Sequence, residues 1–391
     1  MKRSLSGFGD WINIKYVIST RAIAYYLSLF GVFMVSMKDV AKVCGVSQAT
    51  VSYAYNGSPK VSKEMREQIF SVAEQLGYFG PDIRAKSLKS GKVGAIGLMV
   101  MDQLSYACTD PWVISLLQGI SSIDELGDVA LTLIPINNSR FKNGVGFEEP
   151  ILATRGLVDG LIISTLPDNH PVIKAIVRQK IPAVILDSPF IEGINYIGIN
   201  DRTAAKEQME HVLSLGHKNI GIIIERLIPD GYKGFIDETR LKKSTEMISR
   251  ERLYGYIDAA NKYGIKFSSL HVYEAGSFTV KDGELATSIL MENKDITAIV
   301  AASDVMAIGS LTFANKKNID VPNTLSIIGF DDIPEASIYN LTTINQPLME
   351  KGAYAAKLLL KALNDEKNLK VQKKIFDTTL IVRKTTSIPK K

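Results

Sequence analysis

Between Met37 and Leu76 two short helix-forming segments meet at a glycine, and a longer one follows. Asp39 opens the first, with Val40, Ala41 and Val43 read as its apolar side. Gly45 interrupts it where a left-handed turn suits glycine. Ser47 is placed to cap the second helix by accepting a free backbone N–H. That helix runs from Gln48 to Tyr55, with Val46, Val51 and Tyr55 inward and Gln48, Ala49, Ser52 and Tyr53 outward. Asn56-Gly57 stops it, and Ser62 caps a third helix, Lys63 to Leu76, with Ile69, Val72, Ala73 and Leu76 at core spacing.

Small polar residues on the outer face of the second helix let a backbone come close to base edges and to the thymine methyl group. Two short helices around a glycine turn with such a face are the pattern of a DNA-reading helix-turn-helix. A helical bundle with a polar surface has the same pattern. The charge separates the two readings. Residues 37–92 hold nine Lys/Arg against five Asp/Glu, while residues 93–391 hold 33 against 35. The positive charge therefore sits on the head, as a phosphate-facing module needs. Lys38, Lys42, Lys60, Lys63, Arg66, Arg84, Lys86 and Lys89 are its candidate phosphate partners.

Residues 1–36 contain the apolar run Ala22–Val35 behind Lys15 and Arg21. It is short for a membrane span, which takes about 20 residues, and export would leave a DNA-binding head without a target. Residues 1–36 are read as upstream sequence translated from an early start codon, with a signal anchor as the alternative. Cys44 and Cys108 lack metal-ligand spacing and suit a reducing, cytoplasmic compartment. His170, His211, His217 and His271 form no ligand motif, so neither a metal nor a cofactor is expected.

From Val93 onward, short apolar strands alternate with amphipathic helices. Nine strand candidates run from Val93–Val100 to Ser326–Phe330. That pattern argues for doubly wound parallel sheets, and nine strands call for two subdomains with a ligand cleft at the carboxyl ends of the strands. Asp187, Ser303, Asp304, Asp331 and Asp332 fall at predicted strand ends, and Arg252 offers a planar donor fork. A carboxylate at such an end suits a hydroxylated ligand. Helix capping is the competing role and the one preferred for Asp304 and Asp332.

The head resembles the LacI/GalR family of bacterial repressors in DVAKVCGVSQATVSYAYNG, in VSKEMREQIF, in LGY and in the P-x-x-x-A-K-S-L-K segment from Pro81. The core resembles the same family and its periplasmic sugar-binding relatives in GLVDGLIIST, IPAVILDSP, RERLYGYIDA, ITAIVAASDVMAIGSL, LSIIGFDDIPEA, LTTINQPL and VRKTT. The resemblance implies a helix-turn-helix head at 37–80, a hinge helix and linker at 81–92, and a periplasmic-binding-protein-like core at 93–391. The core would divide into about 93–215 with 345–376 and 216–344 with 377–391, crossing near Leu215, Leu341–Ile344 and Phe376. Ser47, Gln48, Ala49, Thr50, Tyr53, Asn56 and Ser62 would face bases or phosphates, with Ala85 and Leu88 in the hinge and Leu88 wedging the minor groove. Tyr106, Asp187, Arg252, Phe278, Ser303 and Asp331 would contact the effector. Tyr78-Phe79-Gly80-Pro81 is one residue longer than the family's Tyr-x-Pro, Tyr53 stands where many relatives have Arg or His, and Ser303 where some have Asn.

Enzymatic signatures are missing. Gly144-x-Gly146 lacks the third glycine and a preceding strand, and no GxxxxGK[ST] or GxSxG occurs. The segment Glu225–Arg250, with Arg226, Tyr232, Lys233 and Arg240, either covers a ligand or is a surface loop. The expectation is a non-enzymatic regulator that binds operator DNA as a homodimer under control of a small carbohydrate-like effector. An exported or membrane-tethered sugar-binding protein is the alternative, and the head argues against it.

Overall fold

The computed structural model describes residues 35–80, 93–101, 104–127, 129–136, 156–364 and 370–390. It forms two units, Met1–Lys92 and Val93–Lys391. The hinge residues Ala85 and Leu88, and residues 1–34 of the expected extension, lie outside the described residues.

In the first unit, α1 (Met37–Cys44), α2 (Gln48–Tyr55) and α3 (Lys63–Leu76) enclose a core of Val40, Ala41, Val51, Ala54, Val61, Ile69 and Ala73. Gly45 ends α1 at φ 66°, the left-handed turn its position called for. Ser36 belongs to this head structurally, because the Asp39 carboxylate accepts both its backbone N–H at 2.9 Å and its hydroxyl at 2.6 Å. The expected boundary after residue 36 therefore falls too late. Val43, expected inside, is 59% exposed. At 3.6 residues per turn it lies roughly 110° from the direction midway between Val40 and Ala41. Tyr55 sits edge-on to Phe70 and Tyr78, with ring centroids 5.0 and 5.8 Å away.

The described residues of the second unit form two sheets. The first is wholly parallel and combines β1 (Ala95–Met101), β2 (Ala130–Ile136), β3 (Gly160–Ser164), β4 (Ala183–Leu186), β5 (Asn195–Ile199) and a late strand, β12 (Lys373–Phe376), in the order β12-β5-β4-β3-β1-β2. The second combines β6 (Ile220–Ile224), β7 (Gly234–Phe235), β8 (His271–Glu274), β9 (Ala298–Ala301), β10 (Ser326–Asp331), β11 (Thr342–Asn345) and β13 (Thr379–Ile381). Its order is β13-β11-β10-β9-β6-β8-β7, with the two edge strands antiparallel and the interior parallel. All nine expected strands are present. The four others are short or polar: Gly-Phe at β7, Thr-Thr-Ile-Asn at β11, and the edge strands β12 and β13.

The helices of this unit are α4 (Leu104–Ala107), α5 (Pro111–Ser121), α6 (Pro171–Gln179), α7 (Asp201–Ser214), α8 (Glu238–Lys242), α9 (Met247–Lys262), α10 (Val280–Leu290), α11 (Asp304–Lys316), α12 (Pro334–Ile338) and α13 (Leu348–Asn364). The chain first passes between sheets at residues 199–201, before the expected Leu215. Ala204, Ala205, Met209, Val212 and Leu213 of α7 already pack with Leu253 and Tyr256 of α9 in the core of the second sheet. It returns after β11, at Gln346-Pro347, and α13 then packs against the first sheet through Ala355, Ala356 and Leu359. The last passage lies between β12 and β13.

α5 and α13 cross in close contact. A Cβ on Gly119 would lie 2.0 Å from the Met349 carbonyl oxygen, and one on Gly352 would lie 2.4 Å from that of Leu116. Only glycine permits this approach, which brings the Lys351 ammonium 5.8 Å from the centre of the Trp112 ring.

Candidate functional site

A cleft of about 920 Å³, including its open mouth, lies in the second unit at the carboxyl ends of strands from both sheets. Met101 ends β1, Ser164 ends β3, Asp187 follows β4, Glu225 follows β6, and Asp331 ends β10. Parallel strands present their last residues to such a crevice. All six effector candidates, Tyr106, Asp187, Arg252, Phe278, Ser303 and Asp331, line this one cleft.

Arg252 projects from the second turn of α9 and is 5% exposed. Its Nε donates to Asp201 Oδ1 at 2.9 Å, its Nη1 donates to the Ala302 carbonyl, and its Nη2 lies 3.5 Å from Asp331 Oδ1. The guanidinium covers the Phe330 ring, 3.7 Å from its centroid. Burial works against its charge, but Asp201, Asp331 and Glu225 more than offset that, so Arg252 stays cationic. Tyr256, one turn further along α9, donates to Gln208 Oε1 at 2.7 Å. Gln208 Nε2 in turn donates to the carbonyls of Ala301 and Gly329, at 2.9 and 2.7 Å. These bonds hold β9, which leads into Ser303, and β10, which ends at Asp331.

Asp331 has φ 115°, a region most residues avoid, and such backbone positions cluster at binding sites. Burial pushes its carboxyl up to about 7, against the pull of Arg252 and of the Gln346 hydrogen bond. Burial raises Asp110 too, although the Tyr106 hydroxyl donates to it and stabilises the ionised form. Asp187 accepts two hydrogen bonds from the Lys351 ammonium, at 2.6 and 2.8 Å. Gln346 joins the two carboxylates: its amide N–H donates to Asp331 at 2.6 Å, and its carbonyl accepts from Lys351 at 2.7 Å. One buried polar chain therefore runs Arg252–Asp331–Gln346–Lys351–Asp187 between the sheets.

Ser303 is the N-cap of α11, accepting from Met306 N at 3.4 Å. The capping role expected for Asp304 falls to Ser303. Asp304 instead accepts from the Thr343 hydroxyl at 2.6 Å and from Ile333 N at 3.0 Å, and burial holds it well above the usual carboxylate range. Asp332 pairs with Arg383 at 2.7 Å and accepts from Asn345, so it is no cap either. The Tyr106 and Phe278 rings lie tilted at 48° to each other with centroids 6.2 Å apart.

The segment 225–250 divides. Glu225, Arg226, Glu246, Ile248 and Ser249 line the cleft. Arg240 is turned to Asp230 and Glu274, with Tyr232 against its guanidinium, and Lys233 pairs with Asp282. Sequence reasoning missed Asp110, Trp112, Ser164, Glu225, Gln346 and Lys351. Ser164 and Glu225 could have been found by the strand-end rule that found Asp187. Lys351 had no signal, since a lysine in a helix reads as solvated.

In the head, Ser47, Gln48, Ala49, Tyr53, Asn56 and Ser62 are exposed and Thr50 is half-buried. Two of them also build the helices. Ser47 Oγ accepts from Thr50 N at 3.1 Å, and Ser62 Oγ accepts from Met65 N at 3.2 Å. Asn56 Nδ2 donates to Ser52 Oγ at 3.3 Å, and the Lys60 ammonium lies 5.3 Å from the Tyr53 ring centroid.

A helix-turn-helix unit and a separate two-sheet unit with a cleft at its strand ends define a DNA-binding regulator controlled by a small ligand. Residues 36–80 match the bacterial regulatory proteins of the lacI family, and residues 209–386 match the periplasmic binding protein-like domain. The chain is 32% identical to an HTH-type transcriptional regulator of Mycobacterium tuberculosis, over 90% of this chain and 97% of the relative. It superimposes with a TM-score of 0.69 on a lacI-family regulator from Corynebacterium glutamicum, at 28% identity over 90% of this chain and 98% of that one. The operator-bound lac repressor dimer shares the fold, with a TM-score of 0.71 at 24% identity, over 91% of this chain and all of that one. The chain belongs to the lacI family of bacterial regulatory proteins. Among the described residues no helix is long and apolar enough to cross a membrane.

Proposed function

We propose that this regulator represses transcription by holding two heads of a homodimer on an inverted-repeat operator, and that a polyhydroxylated ligand in the cleft controls that grip. The observation that carries this is the placement of Asp187, Arg252, Ser303 and Asp331 around one cleft at the strand ends of two sheets. A ligand touching both Asp187 and Asp331 bonds to both halves of the unit, so it favours one spacing of the halves over another. Binding energy that differs between two spacings shifts their populations, and this links ligand and operator as two coupled sites.

On this reading the head occupies 36–80, the hinge 81–92 and the ligand-binding core 93–391. Ser47, Gln48, Thr50 and Tyr53 approach bases or nearby phosphates, Asn56 and Ser62 contact phosphates, and Leu88 wedges the minor groove. Tyr106 and Phe278 pack on the ligand ring, and Arg252 donates to its hydroxyls. The protein acts in the cytoplasm, catalyses no reaction and uses no cofactor.

The test combines operator binding with ligand release. Arg252→Ala should retain operator affinity and lose release by any ligand that frees the parent protein. Leu88→Ala should weaken operator binding and keep ligand affinity. An Arg252→Ala protein still released at the parent's ligand concentration would place the effector elsewhere.

A further inference from the structure

Resting on the cleft as the ligand site, we propose that the bound molecule is a hydroxylated compound carrying a protonated amine, and that Glu225 selects it. Arg226 is held by Glu246 at 2.9 Å, Arg252 by Asp201 and Asp331, and Lys351 by Asp187. Arg226 and Arg252 are the only Lys or Arg side chains lining the cleft among the described residues. A carboxylate or phosphate entering here meets guanidinium groups already engaged with acids and would have to displace one of them.

Two carboxylates, Asp110 and Glu225, form no ion pair among the described residues, although Glu225 lies near enough to Arg252 to favour its charge. Asp110 has structural work, capping α5 through Trp112 N at 2.9 Å and accepting from the Tyr106 hydroxyl. Glu225 has almost none. It is 4% exposed, and among the described residues its side chain accepts one long hydrogen bond, from Ser249 Oγ at 3.4 Å. Glu225 therefore has acceptor capacity to spare, which a cationic donor from a ligand would fill.

A second observation points to the same space. Ser164, at the end of β3 on the opposite sheet, lines the cleft at 1% exposure with its hydroxyl bonded to nothing among the described residues. Buried hydroxyls are rarely left unbonded, and a ligand hydroxyl would complete it. The aromatic walls favour positive charge as well. Arg226 lies 4.9 Å from the Phe278 centroid, and the Lys351 ammonium stands 5.8 Å from that of Trp112. Met101, Val113, Ile248 and Val305 add apolar surface that suits the face of a ring.

The test is calorimetry on the full chain with matched triples: glucose, glucosamine and glucuronate, and the corresponding galactose and mannose sets. The expected result is at least one amine bound tenfold or more tightly than its neutral parent, with no uronate bound. Glu225→Gln should erase that preference. Glu225→Asp, which keeps the charge on a shorter arm, should reduce it and serves if the glutamine variant does not fold. A neutral sugar or a uronate bound as tightly as its amine overturns the amine assignment and leaves the cleft reading standing. Binding of no member of any triple overturns both.

Discussion

Lys351 and Asp187 are 164 positions apart, yet their side chains form a fully buried ion pair, with the ammonium 2.6 and 2.8 Å from the two carboxylate oxygens. Lys351 stands in the first turn of α13, directly after the chain returns from the second sheet, and Asp187 ends the loop edge of β4 in the first. Gln346 carries the contact on to Asp331. The lysine thus neutralises a carboxylate of the cleft and fixes the return crossing to it.

Removing one partner of a buried pair leaves the other uncompensated, which costs about 3–5 kcal/mol. Lys351→Met should lower stability to urea by an amount of that order. Asp187→Asn combined with Lys351→Met should recover most of the loss, because no charge is then stranded. A double variant as unstable as the sum of the singles would show that the pair does not act as a unit.

Asp331 gives a pH signature. Its carboxyl is pushed up to about 7 by burial, whereas in the unfolded chain it returns to the ordinary aspartate value of 3.8. Between those values the folded protein keeps a proton that the unfolded chain releases. The contribution of Asp331 is therefore fully present below pH 3.8 and is lost as pH rises toward 7. Asp331→Asn should be relatively more stable at pH 7 than at pH 5, measured as the difference from the parent so that other titrating groups cancel. A difference that does not change with pH over this range would contradict the assignment.

Ser47 and Gln48 are neighbours with separable roles. Ser47→Ala removes the cap on Thr50 N and should cost about 1 kcal/mol of α2 stability, read as faster hydrogen exchange of the α2 amides. Gln48→Ala breaks no side-chain bond among the described residues of the head and should alter the preferred base at one operator position. An equal loss of affinity for every sequence would instead mark Gln48 as a phosphate contact.

The head was readable because its signals are local: Gly45, Ser47 and Ser62 sit within a few residues of what they control. The nine apolar strands were readable for the same reason. The polar strand β11 and the edge strand β12 were not, since they are strands only by virtue of the neighbour they pair with. The first crossing falls earlier than the sequence suggests because α7 carries no mark of the sheet it packs on. In the cleft, residues at strand ends were accessible to reasoning. Gln346 and Lys351 were not, because their importance arises from partners distant in the chain.

The most direct test of the account is selection from genomic DNA. The full chain is incubated with sheared genomic fragments at low salt, the retained DNA is sequenced, and the selection is repeated with a Gln48→Ala variant. The expected result is enrichment of one inverted repeat by the parent and a shifted sequence by the variant. Retention with no sequence enriched over the input would contradict the claim that this head reads an operator.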